Sequence, residues 1–280
     1  MNPHCTPGWA AASMRVLGLA LALGLALALA VAGCAQAPAT GPTELQLRQP
    51  ITLLGEVHDN AAQHALRLQA LQAWLATGAR PALVMEQFDR DRQATLDRLR
   101  LQQPPPDADA LIKAAGAPGW NWAFYRPYVD LALRYGLPVV AANVSREEAR
   151  QVMREGLKAT GFDPAVPPEI VQTLSDSIRE SHCGMLDAPT AQRMALAQVA
   201  RDQSIARAVE AQAARGVVLL AGNGHVRTDT GAPRWLTPAT RARSESIGVL
   251  EEGVDDGGRY DRSVRTVVQE RGDPCEGMKR

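Results

Sequence analysis

The chain is 280 residues long, with 46% hydrophobic and 21% charged residues, which is enough apolar sequence to bury one sizeable core. Its 30 basic and 30 acidic side chains give a formal net charge of zero, and aromatic residues make up only 4%. A protein that binds nucleic acid needs clustered basic charge for the phosphates and aromatic rings for the bases. We therefore expect no nucleic acid partner.

The N-terminal segment has the pattern of a secretory signal. An uncharged run of Leu, Ala, Gly and Val covers residues 16–32, and it ends in a Val-Ala-Gly-Cys box at residues 31–34. Such a box is typical of bacterial lipoproteins, which are cleaved and lipidated at its cysteine. We expect residues 1–33 to be a lipoprotein signal peptide, Cys34 to carry the lipid and residues 34–50 to form a tether. The alternative is an uncleaved anchor helix, although a membrane span needs roughly 20 residues.

The residue after Cys34 is Ala35 rather than Asp, which resembles lipoproteins sorted to the outer membrane of Gram-negative bacteria. We expect the chain to be lipid-anchored to that membrane and to face the periplasm or the cell surface. Cys183 and Cys275 are then the remaining thiols. They can pair in an oxidising compartment, but one pair is not a disulfide framework, so both states stay open.

From Ile51 onward, short apolar runs alternate with helical patterns. The expected strands are Ile51–Leu54, Pro81–Met85, Leu137–Ala142 and Val217–Ala221, with two shorter candidates at Ser246–Leu250 and Val264–Val268. The expected helices are residues 61–76, 89–101, 146–157, 168–180 and 190–215, and a helical insertion extends from the proline run at 104–106 to Tyr135. The sequence predicts an α/β fold: a largely parallel central sheet covered by helices, with helical insertions between strands, in a single domain over residues 51–280.

Polar residues stand where each of the first four strands ends. These residues are Glu56, His58, Glu86, Asn143, Asn223 and His225, with Arg227 just beyond the last of them. Because the carboxyl ends of parallel strands share one edge of the sheet, we expect these side chains to converge into a ligand site. Two histidines beside two carboxylates suit a transition metal or acid–base chemistry.

Three further features have both a functional and a structural interpretation. His64 begins the first helix and either faces the same cleft or lies on the surface. His182 precedes Cys183, and this pair either ligates haem iron or another metal or forms a capping turn with Gly184. A group of aromatic residues in the insertion either covers a flat apolar ligand or packs helices: Trp120, Trp122, Phe124, Tyr125 and Tyr128.

An ordered set of motifs resembles the ChaN-like haem-binding lipoproteins, which belong to the Tiki/TraB/erythromycin-esterase-like superfamily. The motifs are LLGEVHD at 53–59, MEQF at 85–88, HCG at 182–184, the stretch 198–206 with Arg201-Asp202, and AGNGHVR at 221–227. This resemblance covers roughly residues 51–236. It implies a haem-binding protein of iron uptake that forms a dimer with paired haems. It also implies a tyrosine axial ligand, for which Tyr125, Tyr128, Tyr135 and Tyr260 are the candidates.

Two hypotheses follow for the strand-end site. In the first, the chain binds haem through an axial Tyr or His, and Arg227 pairs with the propionates. In the second, the chain is a metal-dependent hydrolase with Glu56 or Glu86 as general base and a divalent metal on His58, His225 or His182. The strand-end residues suit the hydrolase, whereas the ordered motif set favours haem, which we rank first.

Overall fold

A computed structural model describes residues 45–276, all within one unit that spans Thr43–Arg280. The predicted signal peptide and Cys34 lie outside the described residues and stay predictions. None of the described helices is long and apolar enough to cross a membrane.

Six strands form one sheet with the order β3-β2-β4-β1-β5-β6, and every neighbouring pair is parallel. The strands are β1 Ile51–Leu54, β2 Ala82–Asp89, β3 Val139–Asn143, β4 Val217–Leu220, β5 Ser244–Glu251 and β6 Arg262–Thr266. The apolar strands β1 and β4 lie in the middle and are fully buried. Both shorter candidates near the C-terminus are strands, and the predicted α/β fold is confirmed.

Helices cover both faces of the sheet. They are α1 Ala61–Ala76, α2 Gln93–Arg100, α3 Ala108–Ala115, α4 Trp122–Arg134, α5 Arg146–Ala159, α6 Pro168–Ser181, α7 Ala188–Gln212 and α8 Pro238–Arg241. Leu54 packs with α1 and α4 on one face, whereas Ile51 and Leu53 pack with α7 on the other. This division follows from the alternation of side chains along a strand. The insertions lie where predicted, between β2 and β3 and between β3 and β4.

Strand β2 is longer than predicted. The apolar run ends at Met85, but the strand continues to Asp89, which pairs with Asn143 after a shift of register. Periodicity does not show this extension, because polar residues continue the strand. The neighbouring β4 ends at Leu220, opposite Met85, so Glu86 still emerges at the carboxyl edge of the sheet.

The C-terminal tail is tied to the loops at this edge. Cys183, in the loop between α6 and α7, forms a disulfide with Cys275 across a sequence separation of 92 residues. Arg271 donates to the Asp59 carboxylate at 2.6 and 2.7 Å and to Glu251 at 2.8 and 2.9 Å. The tail therefore links the loop after β1 to the end of β5 and to the loop between α6 and α7.

Candidate functional site

The predicted strand-end residues gather at the carboxyl edge of the sheet, where two adjoining clefts open. The first, of about 550 Å³, has Trp120, Phe124 and Tyr125 along its wall, and we call it the aromatic cleft. The second, of about 640 Å³, is lined largely by the loops after β1 and β4 and by α6, and we call it the polar cleft. His58 and His225 line both, so the two histidines stand on the ridge between the clefts.

Glu56 is the buried centre of the first cluster. One of its carboxylate oxygens accepts a hydrogen bond from the Tyr125 hydroxyl and another from Nδ1 of His58, the latter at 2.9 Å. The other oxygen forms an ion pair with Arg67 of α1. A buried carboxylate is stable only when paired and hydrogen-bonded, and these contacts supply both conditions.

Helix α1, whose N-cap is Asn60, supplies buried side chains around Glu56. The Asn60 side chain accepts a hydrogen bond from the backbone amide of Gln63 and so caps the helix. The first turns of α1 therefore face the sheet edge. Arg67 is fully buried and donates to the Leu54 carbonyl at 3.0 Å. His64 stacks on Phe124 with ring centroids 4.4 Å apart, and burial lowers its pKa. His64 therefore lies behind the cleft wall and supports it.

His58 is the exposed member of the cluster. Its side chain is 50% exposed, and its ring meets the edge of Trp120 at a centroid distance of 4.8 Å. Glu56 accepts a hydrogen bond from Nδ1–H, and in that tautomer of the neutral ring Nε2 is the unprotonated nitrogen. No residue among 45–276 forms a hydrogen bond with Nε2, so its lone pair is open to a ligand in the clefts.

Gly222 allows this position of His58. A Cβ on Gly222 would lie 2.8 Å from Cε1 and 3.0 Å from Nε2 of His58. The imidazole thus lies directly against the backbone that follows β4. By contrast, a Cβ on Gly224, two residues later, would meet nothing within 4 Å.

A second cluster is built on His225. Its Nδ1 lies 2.7 Å from Asp202 of α7, and its Nε2 lies 3.3 Å from Glu86 of β2. The other oxygen of Glu86 accepts the Gly222 amide at 2.8 Å. Both ring nitrogens therefore face carboxylates, an arrangement that favours the imidazolium.

The charges in this cluster shift one another's pKa values. Burial alone would lower the pKa of His225, but the two carboxylates raise it to about 10. Burial alone would raise the pKa of Glu86, but His225 and the Gly222 amide bring it to about 2. Burial raises the pKa of Asp202 to about 6. At neutral pH the cluster holds an imidazolium with no free lone pair.

We expect His225 to stay protonated at pH 8, with its titration completed only above pH 10. The folded-state pKa lies above the ordinary histidine value of 6.5, so this group stabilises the fold fully below about pH 6.5 and loses that contribution as the pH rises toward 10. Histidine ¹⁵N chemical shifts across pH 5–10.5 test this, with His64 as the internal contrast because burial lowers its pKa. A His225 ring that titrates near 6.5 would contradict the cluster.

Asn143 and Asn223 are held by other parts of the protein. Asn143 accepts a hydrogen bond from Arg201 of α7 at 2.5 Å, in the wall of the aromatic cleft. Asn223 bonds the backbone of Val249 in β5 through both its amide nitrogen, at 2.7 Å, and its oxygen, at 3.1 Å. Asn223 therefore fastens the loop after β4 to the sheet, with both its amide nitrogen and its oxygen bonded to β5.

Of the remaining predicted residues, Arg227 lines one of the clefts and His182 lines neither. Arg227 borders the polar cleft and pairs with Asp229 at 2.6 Å. His182 is the C-cap of α6, and its Nδ1 lies 2.7 Å from the Ile178 carbonyl. It lines neither cleft, so the structure does not bring His182 together with the strand-end residues.

Arg67 and Asp202 complete the two clusters. Neither follows a strand, so the strand-end pattern in the sequence does not predict them. Both are buried polar residues inside helices that also bury apolar residues. The signal in the sequence is the run Gln63, His64 and Arg67, which puts polar groups at helical spacing on one face of α1.

Within residues 45–276, no three or more His, Cys, Asp or Glu side chains are arranged to hold a metal ion. His225 in particular is not available as a metal ligand, since each of its ring nitrogens is paired with a carboxylate. Of the three histidines predicted as metal ligands, His58 alone combines an open nitrogen with a carboxylate behind it.

Comparison with known proteins places this geometry in a family. Residues 45–236 match the family described as "Haem-binding uptake, Tiki superfamily, ChaN". Comparison with the curated proteins yields no match. Among solved structures, the chain is similar to one described as "Cofacial heme binding to ChaN of Campylobacter jejuni", with 21% identity, a TM-score of 0.65 and coverage of 76% of this chain and 86% of that one.

Two weaker structural similarities are to the type III effector HopBA1 and to a mutant of the erythromycin esterase EreC in its open conformation. HopBA1 gives a TM-score of 0.44 at 14% identity, with 79% of this chain and 88% of that one covered. EreC gives 0.40 at 11%, with 76% and 74% covered. The family match spans well over half of the chain and includes both histidine loops at the strand ends. The chain therefore belongs to the ChaN family of haem-binding uptake proteins in the Tiki superfamily.

Proposed function

We propose that this protein binds haem at the carboxyl edge of its sheet, with Nε2 of His58 as the axial ligand to iron. The observation that carries the proposal is the open Nε2 of the half-exposed His58 side chain, whose Nδ1 is bound to Glu56. Histidines that ligate metals almost always donate a hydrogen bond from their other ring N–H to a carboxylate, a backbone carbonyl or water, which fixes the tautomer and orients the ring. The Glu56–His58 pair has this arrangement.

The aromatic cleft supplies the remaining contacts that haem needs. Its volume of about 550 Å³ lies within the range of small-molecule sites, and the half-buried Trp120 and Phe124 provide apolar surface for a flat ligand. Arg146 and Arg201 border the same cleft. We assign the propionates to these two arginines, because Arg227 is already paired with Asp229.

The four tyrosines support His58 as the ligand. Tyr125 and Tyr128 are buried, and their hydroxyls donate to Glu56 and to the His64 carbonyl. Tyr135 packs beneath Arg80 near the start of β3, at the opposite end of the sheet. The Tyr260 ring packs against Gly248 in β5. Tyr125 alone borders a cleft, and burial raises its pKa, which disfavours tyrosinate.

The family and the N-terminal sequence extend the proposal to haem uptake at a membrane. We propose that Cys34 is lipidated and holds the protein at the outer membrane, as its Val-Ala-Gly-Cys box predicts. The Cys183–Cys275 disulfide supports an oxidising compartment such as the periplasm. The cofacial haems described for the Campylobacter jejuni ChaN support a homodimer in which a second copy covers the open cleft.

The hydrolase hypothesis receives less support. It offers His225 as one of the metal ligands, but two carboxylates hold this ring as an imidazolium. Glu56 is the better base candidate, yet one of its oxygens already accepts from Tyr125 and His58 and the other is paired with Arg67. We therefore rank a divalent-metal hydrolase second.

Hemin titration of the mature chain tests the proposal. We expect saturation at a fixed stoichiometry with a shifted Soret band, and loss of that shift in His58→Ala. His182→Ala is the matched control, because this histidine lies outside both clefts, and it should bind as the wild type does. Non-saturating absorbance, or an unchanged band in His58→Ala, would overturn the assignment of the ligand.

Gly222→Ala should weaken hemin binding about tenfold or more, because its methyl group would displace the His58 ring from its position against the backbone. Gly224→Ala is the control, since its methyl group would meet open space. Both variants are measured by the same titration and by thermal unfolding, which separates a shifted ligand from a destabilised fold. Equal affinity in the two variants would argue against a role for this contact.

A further inference from the structure

An exposed arginine precedes each of the first five strands by a few residues. These are Arg48, Arg80, Arg134, Arg215 and Arg243. Because parallel strands all begin at the same edge, the five arginines share the amino edge of the sheet, opposite the clefts. Arg100, at the end of α2, joins them, since it lines a cleft of about 490 Å³ with Arg215 and Pro138. We call these six arginines the basic face.

The basic face carries uncompensated charge. Within the described part of the chain, none of its six arginines forms an ion pair with a carboxylate. Several other arginines do, including Arg90, Arg126 and Arg271. Carboxylates at the same edge are engaged elsewhere. Glu245 pairs with Arg262 and Asp261 with Arg241, at 2.9 and 2.6 Å.

Two other carboxylates near this edge are also bound. Glu210 accepts from the Thr237 amide and the Thr240 hydroxyl, both at 2.6 Å. Asp97 borders the same cleft as Arg100 and accepts from Gln93 at 3.0 Å. Six arginines without an ion pair among the described residues thus stand at this edge beside two carboxylates, Glu210 and Asp97, whose hydrogen-bond donors are uncharged.

The position of the N-terminal segment indicates what the basic face meets. The chain enters β1 at Ile51, on the same edge as the arginines, and the predicted lipid on Cys34 precedes it by the segment 34–50. We propose that the basic face lies on the anionic phospholipid headgroups of the leaflet that holds this anchor, with the haem clefts directed away from the membrane. This orientation rests on the lipid anchor of the proposed function but does not depend on haem binding.

The physical reason is proximity. Electrostatic attraction to a charged leaflet extends over a Debye length, about 8 Å at physiological salt, so free arginines act on lipid only when something keeps them close. A lipid on Cys34 would raise the local concentration of this edge at the leaflet, because the segment 35–50 alone separates it from β1. Guanidinium groups also bind phosphate with paired hydrogen bonds, which suits phospholipid headgroups.

Arginine labelling tests the orientation on the native protein. The mature chain, purified from bacterial membranes, is reconstituted into vesicles of phosphatidylcholine alone or mixed three to one with phosphatidylglycerol. It is then treated with phenylglyoxal and mapped by mass spectrometry. We expect labelling of Arg80, Arg134, Arg215 and Arg243 to fall several-fold on the anionic vesicles and to recover in high salt. Arg146 and Arg150, exposed at the cleft end of α5, are internal controls and should not change.

A charge-matched pair of variants sharpens the result. The combined changes Arg134→Gln, Arg215→Gln and Arg243→Gln should abolish the protection of Arg80. The combined changes Arg150→Gln, Arg154→Gln and Arg179→Gln remove the same charge elsewhere and should leave it intact. Equal labelling on both vesicles, or protection of Arg146 instead, would overturn the orientation alone. A mature chain without acyl groups would overturn the anchor and the orientation together, and hemin titration remains an independent test of the haem site.

Discussion

Replacing Arg67 by Met should lower the free energy of unfolding by about 3–5 kcal/mol, because removing one partner of a buried ion pair leaves the other charge uncompensated. Glu56 and Arg67 are both fully buried, and each has further contacts that fix its position. Met keeps much of the volume of the arginine stem, so lost packing contributes little. Urea unfolding followed by circular dichroism measures the difference.

Two comparisons separate charge from packing in this experiment. Arg126→Met removes ion pairs with Asp109 and Asp130 near the surface and should change stability little, since solvent screens them. The double variant Glu56→Gln with Arg67→Met should recover part of the loss, because neither charge is then left buried alone. If Arg67→Met were as stable as Arg126→Met, Glu56 would not depend on this ion pair.

Reduction of the Cys183–Cys275 disulfide should lower the free energy of unfolding by about 2–4 kcal/mol, because the bond closes a long loop and restricts the unfolded chain. The tail that it holds also carries Arg271, which bridges Asp59 and Glu251. Asp59 directly follows His58, so a loosened tail should also increase the mobility of the proposed ligand.

Urea titrations with and without a dithiol reductant measure this effect. The double variant Cys183→Ser with Cys275→Ser provides the control: it should match the reduced wild type and should not respond to reductant. A wild-type midpoint that reductant does not change, despite thiol counts showing complete reduction, would contradict the stabilising role of the bond.

The strands and the position of the site can be predicted from the sequence because they depend on local pattern. Uninterrupted apolar runs such as Val217–Leu220 indicate strands buried on both faces, and parallel pairing then brings the strand ends to one edge. The same pattern predicts that Glu56, His58, Glu86 and His225 lie close together, as they do at the two clefts. It does not supply the order of the strands, because alternating strands and helices are compatible with several orders.

The pairing inside the site depends on tertiary contacts, which no local pattern encodes. The periodicity of α1 predicts buried leucines, and Leu71 and Leu75 do lie in the core. Arg67 is buried on the same helix because the Glu56 carboxylate, which follows β1, pairs with it. Asp202 lies in the middle of α7 and meets a histidine 23 residues later. The Cys183–Cys275 bond likewise joins positions that are distant in sequence.

The most direct test of the central claim is a diffraction experiment at the iron absorption edge on crystals of the haem-loaded protein. The open nitrogen of His58, oriented by Glu56, predicts an anomalous iron peak bonded to Nε2, with the porphyrin against Trp120 and Phe124 and the propionates toward Arg146 and Arg201. An iron peak bonded to a tyrosine oxygen or to His182 would contradict the assignment of His58 as the ligand. An iron peak away from both clefts would contradict the haem site itself.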